Sequence, residues 1–107
     1  MITISYAFSV VPRHRDAFHH AYRAMYFALL HTPGLLSLRL CAPQGRRAPF
    51  TLRLDWDARP SFERFTRTWL GVWVVNGMGL AREAYSAPVQ TTISGERTPG
   101  VTVGQAA

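Results

Sequence analysis

Residues 2–10 read Ile-Thr-Ile-Ser-Tyr-Ala-Phe-Ser-Val, in which large apolar side chains alternate with small or polar ones. The alternation has the two-residue period of a β-strand, because successive side chains of a strand point to opposite faces of the sheet. One face of this strand is therefore apolar, and the other carries threonine, serine and alanine. The chain begins with a strand whose apolar face needs a covering layer.

The next segment has the pattern of a helix. Pro12 is favourable in a first helical turn, and Pro33-Gly34 would end the helix near Thr32. Apolar residues recur at helical spacing on one face, namely Phe18, Ala21, Tyr22, Met25, Ala28 and Leu29. We expect this face to cover the sheet.

Three more strands follow from alternation. The second carries Leu36, Leu38 and Leu40; the third, after a turn at 43–49, carries Phe50, Leu52, Leu54 and Trp56; the fourth carries Val89, Thr91 and Ile93. Two alternating runs separated by residues that favour turns predict that the second and third strands form a hairpin.

A second helical region lies between the third and fourth strands. Ser61 is a suitable N-cap, because its hydroxyl can accept a hydrogen bond from an unpaired amide of the first turn. Gly71, Gly77 and Gly79 favour two short helices over one long helix. Four aromatic residues share one face and are expected to point inward: Phe62, Phe65, Trp69 and Trp73.

The element order β-α-β-β-α-β predicts an α+β chain with the split βαβ, ferredoxin-like fold. In this fold the sheet is antiparallel and both helices lie on one of its faces. We expect one domain over residues 1–95 and a C-terminal tail over 96–107. Val101-Thr102-Val103 has strand character without a place in a four-stranded sheet, so we expect the tail to reach a partner subunit, with a disordered tail as the alternative.

Composition limits the class of protein. The chain has 107 residues, of which 48% are hydrophobic and 17% charged, and this excludes an intrinsically disordered chain. It contains neither a run of 18 apolar residues nor the pattern of an export signal, so we expect a cytoplasmic protein with no membrane association. Cys41 is the single cysteine, which excludes an internal disulfide.

The net charge of +6 does not indicate a nucleic-acid partner. All twelve basic residues are arginines, and apart from Arg46-Arg47 they are dispersed along the chain. Nucleic-acid binding favours a basic stripe, which this sequence lacks. The positive field would instead attract an acidic or phenolate-bearing small molecule.

Four stretches resemble the antibiotic biosynthesis monooxygenase family. They are the first strand ending in Phe8-Ser9-Val10, residues 11–18, residues 32–40 with their Thr32-Pro33-Gly34 turn, and residues 50–57 ending in Trp56-Asp57. The resemblance spans about residues 2–94. It implies a homodimer in which two sheets form a dimeric α/β barrel, with a pocket between sheet and helices in each subunit. It also implies oxidation of phenolic or anthrone polyketide intermediates by O₂ without metal or flavin.

Individual positions match the family unevenly. Trp56 corresponds to the tryptophan common to the family. Its anthrone oxygenases pair that tryptophan with an asparagine and a tyrosine, where this chain has Leu52 and Phe62. The haem-degrading branch uses an asparagine in the first strand and a histidine in the second helical region. Here Ala7 lies near the first position and no histidine follows His31, which disfavours haem degradation.

The predicted pocket would bind a flat aromatic ligand. Its expected substrate-binding residues are Tyr6, Trp56, Phe62, Trp69 and Trp73, for which core packing is the alternative. Its expected catalytic residues are His14, Tyr22 and Asn76. His14 is a candidate general base or a solvated first-turn histidine. Asn76 would hold a ligand carbonyl or oxyanion, or else simply end a helix beside Gly77.

The sequence predicts no metal, haem or flavin. The four histidines share one helical segment at a spacing unsuited to chelation, and Gly77-Met78-Gly79 lacks the strand-turn-helix context of a phosphate loop. The polar sheet face, with Arg39, Arg53 and Asp55, would be a dimer interface or a clamp for a substrate carboxylate.

The expected function is therefore that of a small enzyme of bacterial secondary metabolism that acts on an aromatic polyketide intermediate by cofactor-independent oxygenation. A polyketide cyclase or isomerase using the same pocket is one alternative. A non-catalytic protein that binds an aromatic ligand is another.

Overall fold

A computed structural model describes residues 1–94 of the chain. The strands are β1 (Ile2–Phe8), β2 (Leu35–Cys41), β3 (Phe50–Trp56) and β4 (Gln90–Ser94), and the helices are α1 (Arg15–Leu30), α2 (Arg59–Thr66) and α3 (Trp69–Val75). Short 3₁₀ turns cover Pro12–His14 and Arg82–Ala84. The predicted tail and its strand-like piece at 101–103 lie outside the described residues.

The four strands form one antiparallel sheet in the order β2-β3-β1-β4. Helices cover one face of it, so the predicted ferredoxin-like α+β fold is confirmed. Along the centre of the sheet, Ile4 pairs with Leu54 on one side and with Ile93 on the other. The apolar side chains of β1 and β3 are buried beneath the helices with Phe18, Phe65 and Val74.

Strand β2 differs from its prediction by a register shift. A bulge lies between Leu35 and Ser37, so Leu35, Leu38 and Leu40 pack against the core. Leu36, predicted to face inward, is 58% exposed. A bulge adds one residue to a strand and so transfers the preceding side chains to the opposite face.

The first helix is shorter than predicted. Pro12 begins a 3₁₀ turn, α1 starts only at Arg15, and the helix ends at Leu30 rather than near Thr32. The backbone N–H of His31 closes the last turn by bonding the carbonyls of Phe27 and Leu29.

The second helical region forms the two short helices that its glycines predict. The prediction that Ser61 is the N-cap is wrong, because α2 begins two residues earlier and Ala58 holds the cap position. Ser61 is buried and donates a 2.5 Å hydrogen bond to Asp57. Thr68 caps α3, where its hydroxyl accepts a 3.0 Å bond from the amide of Gly71.

Candidate functional site

A cavity of about 540 Å³ lies between the end of α3 and the segment that leads into β4. Its apolar wall contains Val75, Leu80, Pro88 and Val89, and its polar groups come from Asn76, Arg82, Tyr85 and Ser86. Small-molecule sites commonly enclose about 300–1,000 Å³ and combine apolar walls with a few polar groups. This cavity has both properties.

The turn after α3 shapes one side of the cavity. Asn76 is the C-cap, and Gly77, Met78 and Gly79 all have positive φ angles of 92°, 57° and 80°. The amide of Met78 bonds the carbonyl of Trp73 and the amide of Gly77 bonds that of Val74, which is a Schellman closure. The closure reverses the chain directly after Asn76 and holds its backbone at the cavity rim.

Tyr85 supports this turn from the other side of the cavity. Its hydroxyl donates a 2.5 Å hydrogen bond to the carbonyl of Gly77, and its ring fills the space that a Cβ at Gly77 would need. Burial raises the pKa of Tyr85 to about 12. The phenol is therefore neutral near pH 7 and contributes a polar group without charge.

Of the eight predicted site residues, only Asn76 lines the cavity. Tyr6 and Trp56 lie fully buried in the hydrophobic core with Phe62 beside them. Burial also raises the pKa of Tyr6 well above its ordinary value. The structure therefore places these three side chains in the hydrophobic core, which was the alternative to a role in the pocket.

Trp56 nevertheless carries an unusual polar atom. Its indole nitrogen is buried and has no hydrogen-bond partner within residues 1–94. The ring packs against Phe65 and Phe62 with centroid distances of 5.0 and 6.2 Å. A buried donor without an acceptor costs about 1–3 kcal/mol, so this tryptophan packs well but leaves a polar group unsatisfied.

The prediction that Trp69 points inward is wrong. Its side chain is 68% exposed, and it stacks on the half-buried Trp73 with ring centroids 6.3 Å apart. The reason is that α3 is a separate helix with Thr68 as its N-cap. The helical periodicity of α2 therefore does not determine which way Trp69 points. The two helices therefore do not share one aromatic stripe.

The remaining predicted catalytic residues lie away from the cavity lining. His14 is half-buried in the 3₁₀ turn that precedes α1. Tyr22 is half-buried on α1 and makes an edge contact with Tyr26 at 5.8 Å. Burial, and then the neighbouring Tyr26, raise the pKa of Tyr22, so its hydroxyl is a proton donor near neutral pH rather than a base.

Eight of the nine lining residues were not predicted as site residues, among them the polar Arg82 and Tyr85. Both belong to the irregular segment between Gly79 and β4, where no apolar period marks a buried side. The available signal was the composition of residues 82–85, in which an arginine and a tyrosine follow a glycine-rich turn.

A polar network occupies the sheet face opposite the helices. The carboxylate of Asp55 accepts hydrogen bonds from Ser37 at 2.5 Å and from Thr3 at 2.6 Å, and Arg53 approaches it at 3.5 Å. The bonds from Ser37 and then Thr3 lower the pKa of Asp55. Arg39 lies directly opposite Arg53 in the sheet and, within the described chain, has no ion-pair partner.

We expect Asp55 to stabilise the fold at neutral pH and to lose that contribution in acid. Because its folded pKa is lowered, the stabilisation is complete above the ordinary pKa of 3.8 and disappears as the pH falls through the folded value. Asp55→Asn should therefore reduce the fall in stability between about pH 4 and pH 2. Urea unfolding of the wild-type and Asp55→Asn proteins across this pH range measures the free energy of unfolding. The same pH dependence in both proteins would contradict this prediction.

The described residues offer poor ligands for a metal or haem. They include no group of three or more His, Cys, Asp or Glu side chains that could hold a metal ion. All four histidines of the sequence lie at positions 14–31, and none of them lines the cavity. A haem with an axial histidine does not fit this cavity.

No helix among residues 1–94 combines the length and apolar character needed to cross a membrane.

No protein-family model matches the chain, and no curated protein matches it in sequence. Solved structures do match. A crystal structure of an antibiotic biosynthesis monooxygenase shares 14% identity at a TM-score of 0.73, covering 92% of this chain and 100% of that one. A Nitrosomonas europaea protein provisionally described as an antibiotic biosynthesis monooxygenase shares 17% identity at a TM-score of 0.73, covering 90% and 98%.

The haem degrader MhuD of Mycobacterium tuberculosis, solved with two haems bound in its active site, also matches. It shares 12% identity at a TM-score of 0.67, covering 87% of this chain and 92% of that one. The structural similarity of these matches establishes the fold. Their low sequence identity leaves the activity open. The described chain has the fold of the antibiotic biosynthesis monooxygenases.

Proposed function

We propose that this chain is a cofactor-independent monooxygenase of bacterial secondary metabolism that oxidises an aromatic polyketide intermediate in the cavity beside Asn76. The observation that carries the proposal is the cavity itself, about 540 Å³ in volume with apolar walls and a few polar groups. Its occurrence on a fold shared with structures described as monooxygenases supports the reaction type.

The chemistry requires a ligand that can supply electrons. In an anthrone, loss of a proton from the ring CH₂ gives a resonance-stabilised anion, which can reduce O₂ without a metal. The CH₂ group becomes a carbonyl, one oxygen atom of O₂ enters the product, and the other leaves as water. The apolar walls would pack against the ring system, and the Asn76 amide would donate a hydrogen bond to the oxygen of the anion.

Anthrone oxidation tests this proposal. Protein purified without added metal or cofactor is incubated with anthrone under air, under argon and under ¹⁸O₂, and the products are analysed by mass spectrometry. The proposal expects protein-dependent anthraquinone under air, none under argon, and one ¹⁸O atom in the product. Rates equal to those without protein would contradict it.

Two alternatives have distinct outcomes with polyketide-derived substrates. An isomeric product, or loss of water without a requirement for O₂, would indicate a cyclase or isomerase in the same cavity. Saturable binding without any product would indicate a ligand-binding protein. Shape and proton transfer suffice for cyclisation, so the cavity residues serve that reaction as well.

Asn76→Ala is expected to lower kcat for anthrone by about 10²- to 10³-fold, because a positioned donor to a developing oxyanion contributes about that much. The variant should fold normally, since Asn76 is exposed and its φ of −94° is accessible to alanine. Val72→Ala, a change on the exposed side of the same helix and outside the cavity lining, is the matched control and should leave kcat unchanged. An unchanged kcat in Asn76→Ala would remove Asn76 from the mechanism.

His14, the general base predicted from the sequence, does not line this cavity, so it can act only on a bound substrate that extends beyond the lining to the 3₁₀ turn before α1. If it removes the substrate proton, His14→Ala lowers kcat by about 10²- to 10⁴-fold, and the loss depends on pH near neutrality. Full activity at every pH would reject this assignment and leave the acidity of the substrate as the source of the anion.

We also propose that the chain is a homodimer whose polar sheet faces meet. Arg39 and Arg53 lie opposite each other with one nearby carboxylate, Asp55, so the face carries excess positive charge. Like charges opposite each other destabilise a sheet unless another group compensates them. In a two-fold dimer, Asp55 of a second copy can supply that compensation.

Sedimentation at micromolar concentration should therefore give a dimer, and Arg39→Glu should weaken it by about tenfold or more. Arg67→Glu, an equal charge change on the exposed end of α2, should leave the dimer unchanged. A wild-type monomer at this concentration would contradict the proposal.

A further inference from the structure

We infer that the cavity selects planar ligands that carry an anionic oxygen, a carboxylate or an ionised phenol or enol, through the guanidinium of Arg82. The inference rests on the proposed function only in using the same cavity. It specifies the charge of the ligand, which the oxygenase proposal leaves open.

The charge of the lining favours an anion. Arg82 is charged, none of the described lining residues is acidic, and Tyr85 is neutral near pH 7. Within residues 1–94, no carboxylate lies at ion-pair distance from Arg82. A cation beside apolar walls and without an internal partner attracts an opposite charge from solution.

The backbone beneath Arg82 is held at several points. The 3₁₀ turn that it begins is closed by hydrogen bonds from Ala84 to Ala81 at 3.0 Å and from Tyr85 to Arg82 at 3.1 Å. The buried Ala84 also accepts a 2.8 Å bond from the amide of Val11, which ties the turn to the segment that follows β1. A fixed backbone reduces the entropy lost when the guanidinium engages a ligand.

The other polar group comes from a different element. Asn76 ends α3, whereas Arg82 lies beyond the Gly77–Gly79 turn. A ligand with its ring on Val75 and Val89 would have a cation and a neutral amide within one cavity. The cation is suited to the ionised oxygen, and the amide is suited to a carbonyl on the same ring system.

This arrangement also bears on how the anion forms. A nearby positive charge favours the ionised state of an acid and so lowers its pKa. A phenol or enol bound beside Arg82 would release its proton to solvent at a lower pH than it does when free.

Fluorescence titration with two matched probes tests the inference. Anthracene-2-carboxylate and anthracene-2-carboxamide share a ring system and differ in charge. Wild-type protein should bind the carboxylate about two- to fivefold more tightly, as expected for one exposed ion pair. Arg82→Gln should abolish this preference without changing the affinity for the carboxamide, and Arg67→Gln should behave as wild type.

Alizarin provides the second arm, because its visible spectrum reports the ionisation of its phenols. Its pKa should fall by about 0.3 to 0.7 unit on binding to wild-type protein and should not fall on binding to Arg82→Gln. A shift with alizarin would indicate that phenolates are bound, and a preference in the anthracene pair would indicate that carboxylates are bound.

These experiments distinguish a failure of the anion-selection inference from a failure of the oxygenase proposal. Equal affinities for the two anthracenes, together with an unshifted alizarin pKa, would overturn the selection of anions and leave the oxygenase proposal standing. Absence of binding by every probe would overturn the inference about this cavity, and anthrone turnover would then decide the proposed function separately.

Discussion

Trp56→Ala is expected to destabilise the protein by about 3 kcal/mol, a large share of the roughly 5–15 kcal/mol that folded domains possess. The side chain is 0% exposed and packs between Phe62 and Phe65 at the end of β3. Removal of a buried Trp costs about 3–5 kcal/mol. Its unpaired indole N–H offsets part of that cost, because the variant no longer buries an unsatisfied donor. The lower end of the range therefore applies.

Trp69→Ala is the matched control, because the same residue type is changed on the exposed side of α3. Its expected effect is at most about 1 kcal/mol, the contribution of one exposed ring stacking on another. Trp56→Phe should lie between the two variants, since it keeps a ring and removes the unpaired N–H. Urea unfolding monitored by far-ultraviolet circular dichroism measures all three. Similar losses for Trp56→Ala and Trp69→Ala would contradict the core placement of Trp56.

Gly71→Ala is expected to destabilise the protein by about 2 kcal/mol or more. A Cβ at this position would overlap the carbonyl oxygen of Phe65 and lie 2.8 Å from the carbonyl carbon of the same residue. Both atoms belong to the backbone and cannot rotate away, so the steric overlap is removed only if α2 and α3 move apart. Alanine has a better helix propensity than glycine, which stabilises the folded protein by about 1 kcal/mol. This gain is smaller than the destabilisation caused by overpacking and backbone displacement.

The same substitution should disturb the cavity from a distance. Helix α3 runs from this contact to Asn76, so a displacement at Gly71 moves the cavity wall. We expect weaker binding of anthracene-2-carboxylate together with a lower unfolding midpoint. Val72→Ala, at the next position and exposed, should be neutral or slightly stabilising. Gly71→Ala with wild-type stability and affinity would show that the helices accommodate the methyl group without moving.

The sheet could be predicted from the sequence because strand alternation is local information. Ile2 to Phe8 and Phe50 to Trp56 keep a strict two-residue period, and their pairing follows from the burial of both apolar sets. The bulge at Leu35 and Ser37 depends on how β2 aligns with β3, which alternation within one strand does not reveal. Leu36 therefore lies on the opposite face from the one predicted.

The candidate site was harder to predict for a related reason. Helical spacing placed Trp69 on the inward face only under the assumption of a continuous phase from Phe62. Thr68 interrupts that phase by capping a new helix. Arg82 and Tyr85 come from a segment whose position is set by hydrogen bonds to the segment that follows β1, so no repeating pattern marks them.

The stacked indoles of Trp69 and Trp73 form an intrinsic spectroscopic probe of the protein's conformation. At 6.3 Å and an interplanar angle of 21°, their electronic transitions couple, and such coupling produces paired circular-dichroism bands of opposite sign. The amplitude of those bands depends steeply on separation and tilt. Trp73 also lies against Gly79, its indole nitrogen 3.0 Å from where a Cβ would be, in the turn that leads to the cavity. Movement of α3 relative to this turn can therefore be followed spectroscopically, without attaching any label.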